Sequence, residues 1–250
     1  VNPQEKELVA VLIPVYKSSM TDLEAISYRQ CMKVFSDKYT IIVVHPEQLE
    51  LPEEISNHHH KSEKFDSHYF KDIAGYNSLM VSRMFYERFR QFEFVLIYQL
   101  DAFVFQDSLT EWCNKNYDYI GAPSLGEDRY LSLNEDNMEI LKQGMEAGKP
   151  VLNGGLSLRK VSSILRYLAV YNFFYPQWKG NEDKLFCLDA ARLKPMKFFI
   201  KIPDWRTAMD FAFEKSPAAC YALKNQQLPF GCHAWERYDR DFWKPFIEQV

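Results

Sequence analysis

The stretch FEFVLIYQLDAFVFQD, residues 92–107, restricts the fold more than any other segment. Its first seven residues are almost wholly apolar and rich in β-branched and aromatic side chains, the composition of a strand buried on both faces. Asp101 then stands in the middle of the apolar run, where an unpartnered carboxylate costs free energy. The periodicity predicts a strand over 92–105 with the acid near its carboxyl end.

Other segments complete an alternating pattern. LVAVLIPVY (8–16) is a continuous apolar run closed by Pro14, and YTIIVVHP (39–46) is a second one. Thr21 or Asp22 caps a helix running through about Phe35, with Leu23, Ile26, Met32 and Phe35 at helical spacing. KFDSHYF (64–70) alternates as a third short strand, and GYNSLMVSRMFYERF (75–89) reads as one helix. YDYIGAPS (117–124) and VLNGGLSLRK (151–160) read as strands, with a polar surface excursion over 125–150 between them and a helix from Val161 to about Tyr171 after them. Strand–helix–strand order of this kind predicts a mainly parallel α/β sheet sandwiched by helices. In such sheets ligands bind outside the carboxyl ends of the strands, which is where Asp101 falls.

Several function classes drop out. No GxGxxG follows the first strand, and there is no GxxxxGK[ST] or GxSxG. A formal charge of −4 lacks the basic footprint of a nucleic-acid binder. No run reaches the ~20 apolar residues of a membrane span, and the first residues lack a signal-peptide layout. The five scattered cysteines read as reduced thiols of a cytoplasmic protein. His58, His59 and His60 are consecutive, a spacing that reads as exposed loop rather than a metal motif. The five tryptophans read mostly as core, and the tail WERYDRDFWKPF as a solvated terminal helix.

Four segments carry candidate chemistry. Asp101 in YQLD can ligate a divalent cation that bridges phosphates, or cap a turn. His233 in PFGCHAW can complete such a shell, or bond to backbone. Asn153, Gly154 and Gly155 give close backbone approach and an amide for a polyol, or mark a bulge. Glu182 and Asp183 in NEDKLF can supply a general base, or complement a helix dipole.

Taken in chain order, VLIPVYK, AGYNSLMVSRMFYERF, FVLIYQLDAFVF, YDYIGAP, NGGLSLRK, NEDKLF and PFGCHAW resemble a family of uncharacterised bacterial domains related to GT-A glycosyltransferases. The resemblance implies a single GT-A-like, Rossmann-like α/β domain over 1–250. Its nucleotide-sugar half spans about 1–124, and an irregular acceptor-side lobe spans about 125–250. It implies donor contacts from Pro14, Val15, Tyr16, Tyr76, Asn77, Gln99, Asp101, Asn153, Gly154 and Gly155. It further implies metal ligation by Asp101 and His233, and a catalytic base at Glu182 or Asp183, with inversion favoured. Gln99 stands where the related enzymes have the first acid of a DxD motif, so the Mn²⁺ or Mg²⁺ shell holds one carboxylate fewer. The implied reaction moves a sugar from a nucleoside-diphosphate donor, UDP foremost, to a saccharide or lipid-linked hydroxyl. Its setting is bacterial surface-polysaccharide synthesis at the cytoplasmic face of the inner membrane. A metal-dependent nucleotidyltransferase and a non-catalytic carbohydrate-binding protein are the competing readings.

Overall fold

The computed structural model describes residues 6–124, 151–189 and 196–248. Its frame is a six-stranded sheet in the order β3-β2-β1-β4-β7-β6. The strands are β1 (Glu7–Pro14), β2 (Thr40–Pro46), β3 (Lys61–Phe65), β4 (Phe92–Tyr98), β6 (Tyr119–Pro123) and β7 (Leu152–Lys160). β5 (Phe103–Val104) lies in a second sheet described below. β1 runs parallel to both β2 and β4, and β2 runs parallel to β3. β7 is antiparallel to β4 and to β6, so the sheet is mixed at that edge.

The continuous apolar runs have a direct cause. Along β1, Ala10 and Leu12 pack on one face, while Val9, Val11 and Ile13 pack on the other. β4 divides the same way, with Val95 and Ile97 on one side and Phe94 and Leu96 on the other. A strand buried on both faces gains roughly 1.5–3 kcal/mol per large side chain, and no position is left for a polar residue. Helix α1 (Asp22–Phe35) covers one face. It starts at a reciprocal cap in which Glu24 N donates to Thr21 Oγ1 at 3.2 Å and Thr21 N to Glu24 Oε2 at 2.7 Å. After the single turn α2 (Glu53–Ser56), helices α3 (Ile73–Met80) and α4 (Arg83–Glu87) cover the other face. Helix α5 (Leu109–Asn114) lies on the α1 side, and α6 (Val161–Phe174) beside α4.

Three local expectations change. The third strand is Lys61–Phe65 rather than 64–70, because Asp66 accepts from His68 N at 2.9 Å and turns the chain into a 3-10 helix, Ser67–Phe70. The single helix over 75–89 is two, because Ser82 accepts from Phe85 N at 3.1 Å and caps a new helix. The strand expected over 92–105 ends at Tyr98. The chain turns through Gln99–Ala102, with Ala102 N donating to Gln99 O at 2.9 Å, and enters a second sheet as β5. The surface excursion expected over 125–150 lies outside the described residues.

The second sheet has the order β5-β9-β8, with β8 (Ala212–Phe213) parallel and β5 antiparallel to β9 (Gly231–Cys232). After α6, a single turn α7 (Glu182–Lys184) and then helix α8 (Trp205–Phe211) lead into β8. Helices α9 (Pro217–Leu223) and α10 (Arg240–Ile247) pack beside the second sheet through Ala219, Cys220, Trp243 and Ile247. The tail helix is thus anchored by a fully buried Trp243, not merely solvated. Trp235 is equally buried, as expected for the tryptophans, and all five cysteines are free and buried. No helix among the described residues is long and apolar enough to cross a membrane.

Candidate active site

The two sheets meet at a cleft of about 930 Å³. Every residue given a candidate donor, metal or base role in the sequence lines it. Pro14, Val15 and Tyr16 come from the end of β1, Tyr76 and Asn77 from α3, and Gln99 and Asp101 from the turn after β4. Asn153, Gly154 and Gly155 come from β7, Glu182 and Asp183 from α7, and His233 from the residue after β9.

His233 is the meeting point. Its backbone N donates to Phe213 O at 2.9 Å, which sets the residue at the end of the second sheet. Its Nε2 lies 3.2 Å from Gln99 Oε1 and 3.2 Å from Asp101 Oδ1. Its Nδ1 lies 3.3 Å from Glu214 Oε1. Burial opposes a charge on the ring, but the Asp101 and Glu214 carboxylates on either side prevail and raise His233 to about 10. Burial likewise opposes the charge on Asp101, and His233 overrides it and holds the carboxyl below its ordinary range. The next residue, Ala234, has φ 50°, a left-handed conformation that costs an L residue ~1 kcal/mol and fixes the backbone behind the imidazole.

The glycines are needed here for space. A Cβ on Gly155 would overlap His233 Nε2, and one on Gly154 would overlap Glu182 Oε1. Asn153 closes a local turn by accepting from Gly155 N at 2.7 Å, while its amide donates to Glu214 Oε1 at 2.9 Å.

The two acids of NEDKLF separate sharply. Glu182 is buried and pairs with Arg159 Nη2 at 3.1 Å. That fully buried guanidinium also donates to Tyr86 Oη at 2.8 Å, Ser157 Oγ at 3.0 Å and Gly154 O at 3.2 Å. Such a set of donors and acceptors is what a buried charge requires. Asn77 ties α3 to the same turn by accepting from Glu182 N at 3.4 Å. Asp183 is only partly buried and lines the cleft; burial, then the Glu182 charge, raise it from 3.8 to about 6.

Between the sheets, Gln99, Asp101 and His233 converge as candidate donors to a divalent cation. Asp101 Oδ1 is buried and lacks a hydrogen-bond partner, although it lies at ion-pair distance from His233. A carboxylate oxygen, an amide oxygen and an imidazole nitrogen suit Mn²⁺ or Mg²⁺ with phosphate and water completing the shell. Among the described residues no group of three His, Cys, Asp or Glu side chains could hold a metal ion, so a cation here would need the Gln99 amide as its third protein donor. The Tyr76 hydroxyl is a second buried polar atom on this cleft, and it faces the Gln99 side chain.

Sequence reading missed Glu214 and Arg159. Glu214 had a legible signal, an acid directly after the apolar run FAF (211–213), the same pattern as YQLD. Arg159 stands in the run LSLRK, and its depth shows only when α3, α4 and α7 close over it.

Comparison with known proteins accords with this architecture. Residues 59–233 match the model of a family described as "Protein of unknown function (DUF5672)". A crystal structure of galactosyltransferase LgtC with donor and acceptor sugar analogs superposes with a TM-score of 0.57 at 13% identity, over 96% of this chain and 96% of that one. Mouse xyloside xylosyltransferase 1 in its apo form superposes at 0.54 and 11% identity, over 92% of this chain and 98% of that one. At these identities the likeness establishes the fold, a GT-A-like α/β sheet flanked by helices. No curated protein sequence matches the chain.

Proposed function

The chain belongs to the DUF5672 family, and we propose that it is a glycosyltransferase that moves a sugar from a nucleoside-diphosphate donor, UDP foremost, to a hydroxyl acceptor. One observation carries this reading: Gln99, Asp101 and His233 converge at the mouth of the central sheet, inside a cleft that also presents Asp183. The galactosyltransferase and xylosyltransferase likenesses support the same class.

Tyr16 is 54% exposed on the cleft wall and offers a ring face to a nucleobase. Lys17 and Arg237 on the same wall supply positive charge to a diphosphate. A Mn²⁺ or Mg²⁺ ion held by Asp101, Gln99 and His233 would supply Lewis-acid stabilisation of the departing diphosphate. Asn153 and the Gly154–Gly155 backbone bind the transferred sugar and exclude water from it. Asp183, placed near 6, is ionised at neutral pH and accepts the acceptor's proton as its oxygen bonds to the anomeric carbon. The anomeric carbon–phosphate bond breaks as that bond forms, and its electron pair leaves with the diphosphate. Reaction on opposite faces of the sugar inverts the anomeric centre. Glu182, held against Arg159, is the counter-ion of the cleft floor rather than the base. The acceptor in this reading is a saccharide or lipid-linked hydroxyl of bacterial surface-polysaccharide assembly, met at the inner membrane face.

The test is donor binding and turnover across UDP-, GDP- and CMP-sugars, with and without Mn²⁺, with the product anomer read by NMR. Mn²⁺-dependent turnover of one donor, lost on the order of 10²-fold in Asp101→Asn, is the expected result. Failure of every donor to bind or react overturns the proposal. Activity of Asp101→Asn equal to wild type at limiting Mn²⁺ overturns the role of Asp101.

A further inference from the structure

The carboxylate of Glu214 joins two parts of the cleft that the sequence keeps far apart. Both of its contacts fall on one oxygen. Oε1 accepts from Asn153 Nδ2 at 2.9 Å and lies 3.3 Å from His233 Nδ1. Asn153 belongs to β7 of the large sheet, and His233 follows β9 of the small one. Glu214 follows β8, whose Phe213 pairs with Cys232 of β9, so Glu214 and His233 are neighbours across two parallel strands. The side chain is nearly closed from solvent, and an acid in that position is retained only with its hydrogen bonds made.

We infer that Glu214 is a positioning residue that keeps His233 donating through Nδ1, so that Nε2 faces Gln99 and Asp101 as the ligating atom. Through the same oxygen it ties that imidazole to Asn153. The inference rests on the cation-dependent donor reading given above and adds a coupling between its two halves. A cation drawn to Nε2 strengthens the Nδ1–H bond to Oε1. That in turn fixes the acceptor to which the Asn153 amide is held, and with it the Gly155 turn that Asn153 Oδ1 caps at 2.7 Å. Cation and donor then bind better together than apart, which is reciprocal coupling between two sites. Removing an acid of this kind behind a metal-ligating histidine weakens metal binding by about 10–100-fold.

The experiment measures Mn²⁺ affinity by electron paramagnetic resonance, with and without UDP, on wild type, Glu214→Leu and Glu214→Gln. Circular dichroism and thermal melting check that each variant is folded. Wild type binds Mn²⁺ more tightly when UDP is present. Glu214→Leu binds it about 10–100-fold more weakly and loses most of the enhancement by UDP. Glu214→Gln keeps an acceptor oxygen and the side-chain shape but not the charge, and falls between the two; it also serves alone if the leucine variant does not fold. Folded variants that bind Mn²⁺ like wild type, with the same enhancement by UDP, overturn the role of Glu214 and leave the donor reading standing. Wild type that binds no Mn²⁺ even with UDP overturns both.

Discussion

Replacing Asp183 with asparagine is expected to make the protein more stable while abolishing transfer. The folded cleft raises this carboxyl from 3.8 to about 6, through burial first and the neighbouring Glu182 charge second. A raised carboxyl binds its proton more tightly folded than unfolded. Ionised Asp183 therefore opposes folding above about 6, and this penalty fades as pH falls toward 3.8. The displacement amounts to ~3 kcal/mol, and the solvent-facing part of the side chain screens it to ~1–2 kcal/mol. Asparagine removes the charge and keeps the oxygen that accepts from Lys184 N at 2.6 Å, so no local bond is lost. Urea unfolding at pH 7.5 is expected to show Asp183→Asn more stable by ~1–2 kcal/mol, and linkage removes roughly two-thirds of the gain at pH 4.5. Transfer at pH 7.5 is expected to fall by about 10²–10⁴-fold, the usual contribution of a general base. Equal stability of the two proteins at pH 7.5, or a gain that does not shrink at pH 4.5, refutes the electrostatic account. Undiminished transfer refutes Asp183 as base.

Gly155→Ala forces a methyl group onto His233 Nε2 and is expected to abolish Mn²⁺ binding while the far-ultraviolet circular dichroism stays unchanged; retained binding shows that the cation site lies elsewhere. Arg159→Met leaves Glu182 buried without its partner and is expected to cost about 3–5 kcal/mol, with much of the loss recovered in Arg159→Met/Glu182→Leu; a urea midpoint near wild type for the single variant counts against the pairing. His233 is raised when folded, so its contribution to metal-free stability is complete below 6.5 and lost as pH rises toward about 10. Wild type in EDTA is therefore expected to lose stability across that window by chemical denaturation, and a His233→Gln variant to lose less; parallel curves contradict the charged imidazole.

Much of the cleft lining was legible because its signals are local. The doubly buried strands announce themselves as unbroken apolar runs, and Asp101 stands out against one of them. Asn153-Gly154-Gly155 is a short-range pattern whose reason, room for His233 and Glu182, only the folded chain supplies. The expected strand over 92–105 broke at Gln99 because residues 103–104 pair with Cys232 and Gly231, partners too distant in sequence for periodicity to reveal. The same distance hid the tie between Glu214 and His233. The different surroundings of Glu182 and Asp183 were equally invisible, because they depend on a guanidinium that enters from β7. Short-range caps defeated two boundaries, at Asp66 and Ser82, where a side chain bonds to backbone and overrides an apolar pattern that would otherwise continue.

The passage of the chain from the large sheet to the small one between Tyr98 and Phe103 also bears on how the molecule is made. Gln99 and His233 touch across 134 positions of sequence, and contacts of that span form late, after loop closure has been overcome. During synthesis the β1–β4 framework leaves the ribosome well before the strand that completes the pocket. A nascent chain therefore carries a nearly finished scaffold with an open cleft, and closes it only when the last small strand docks.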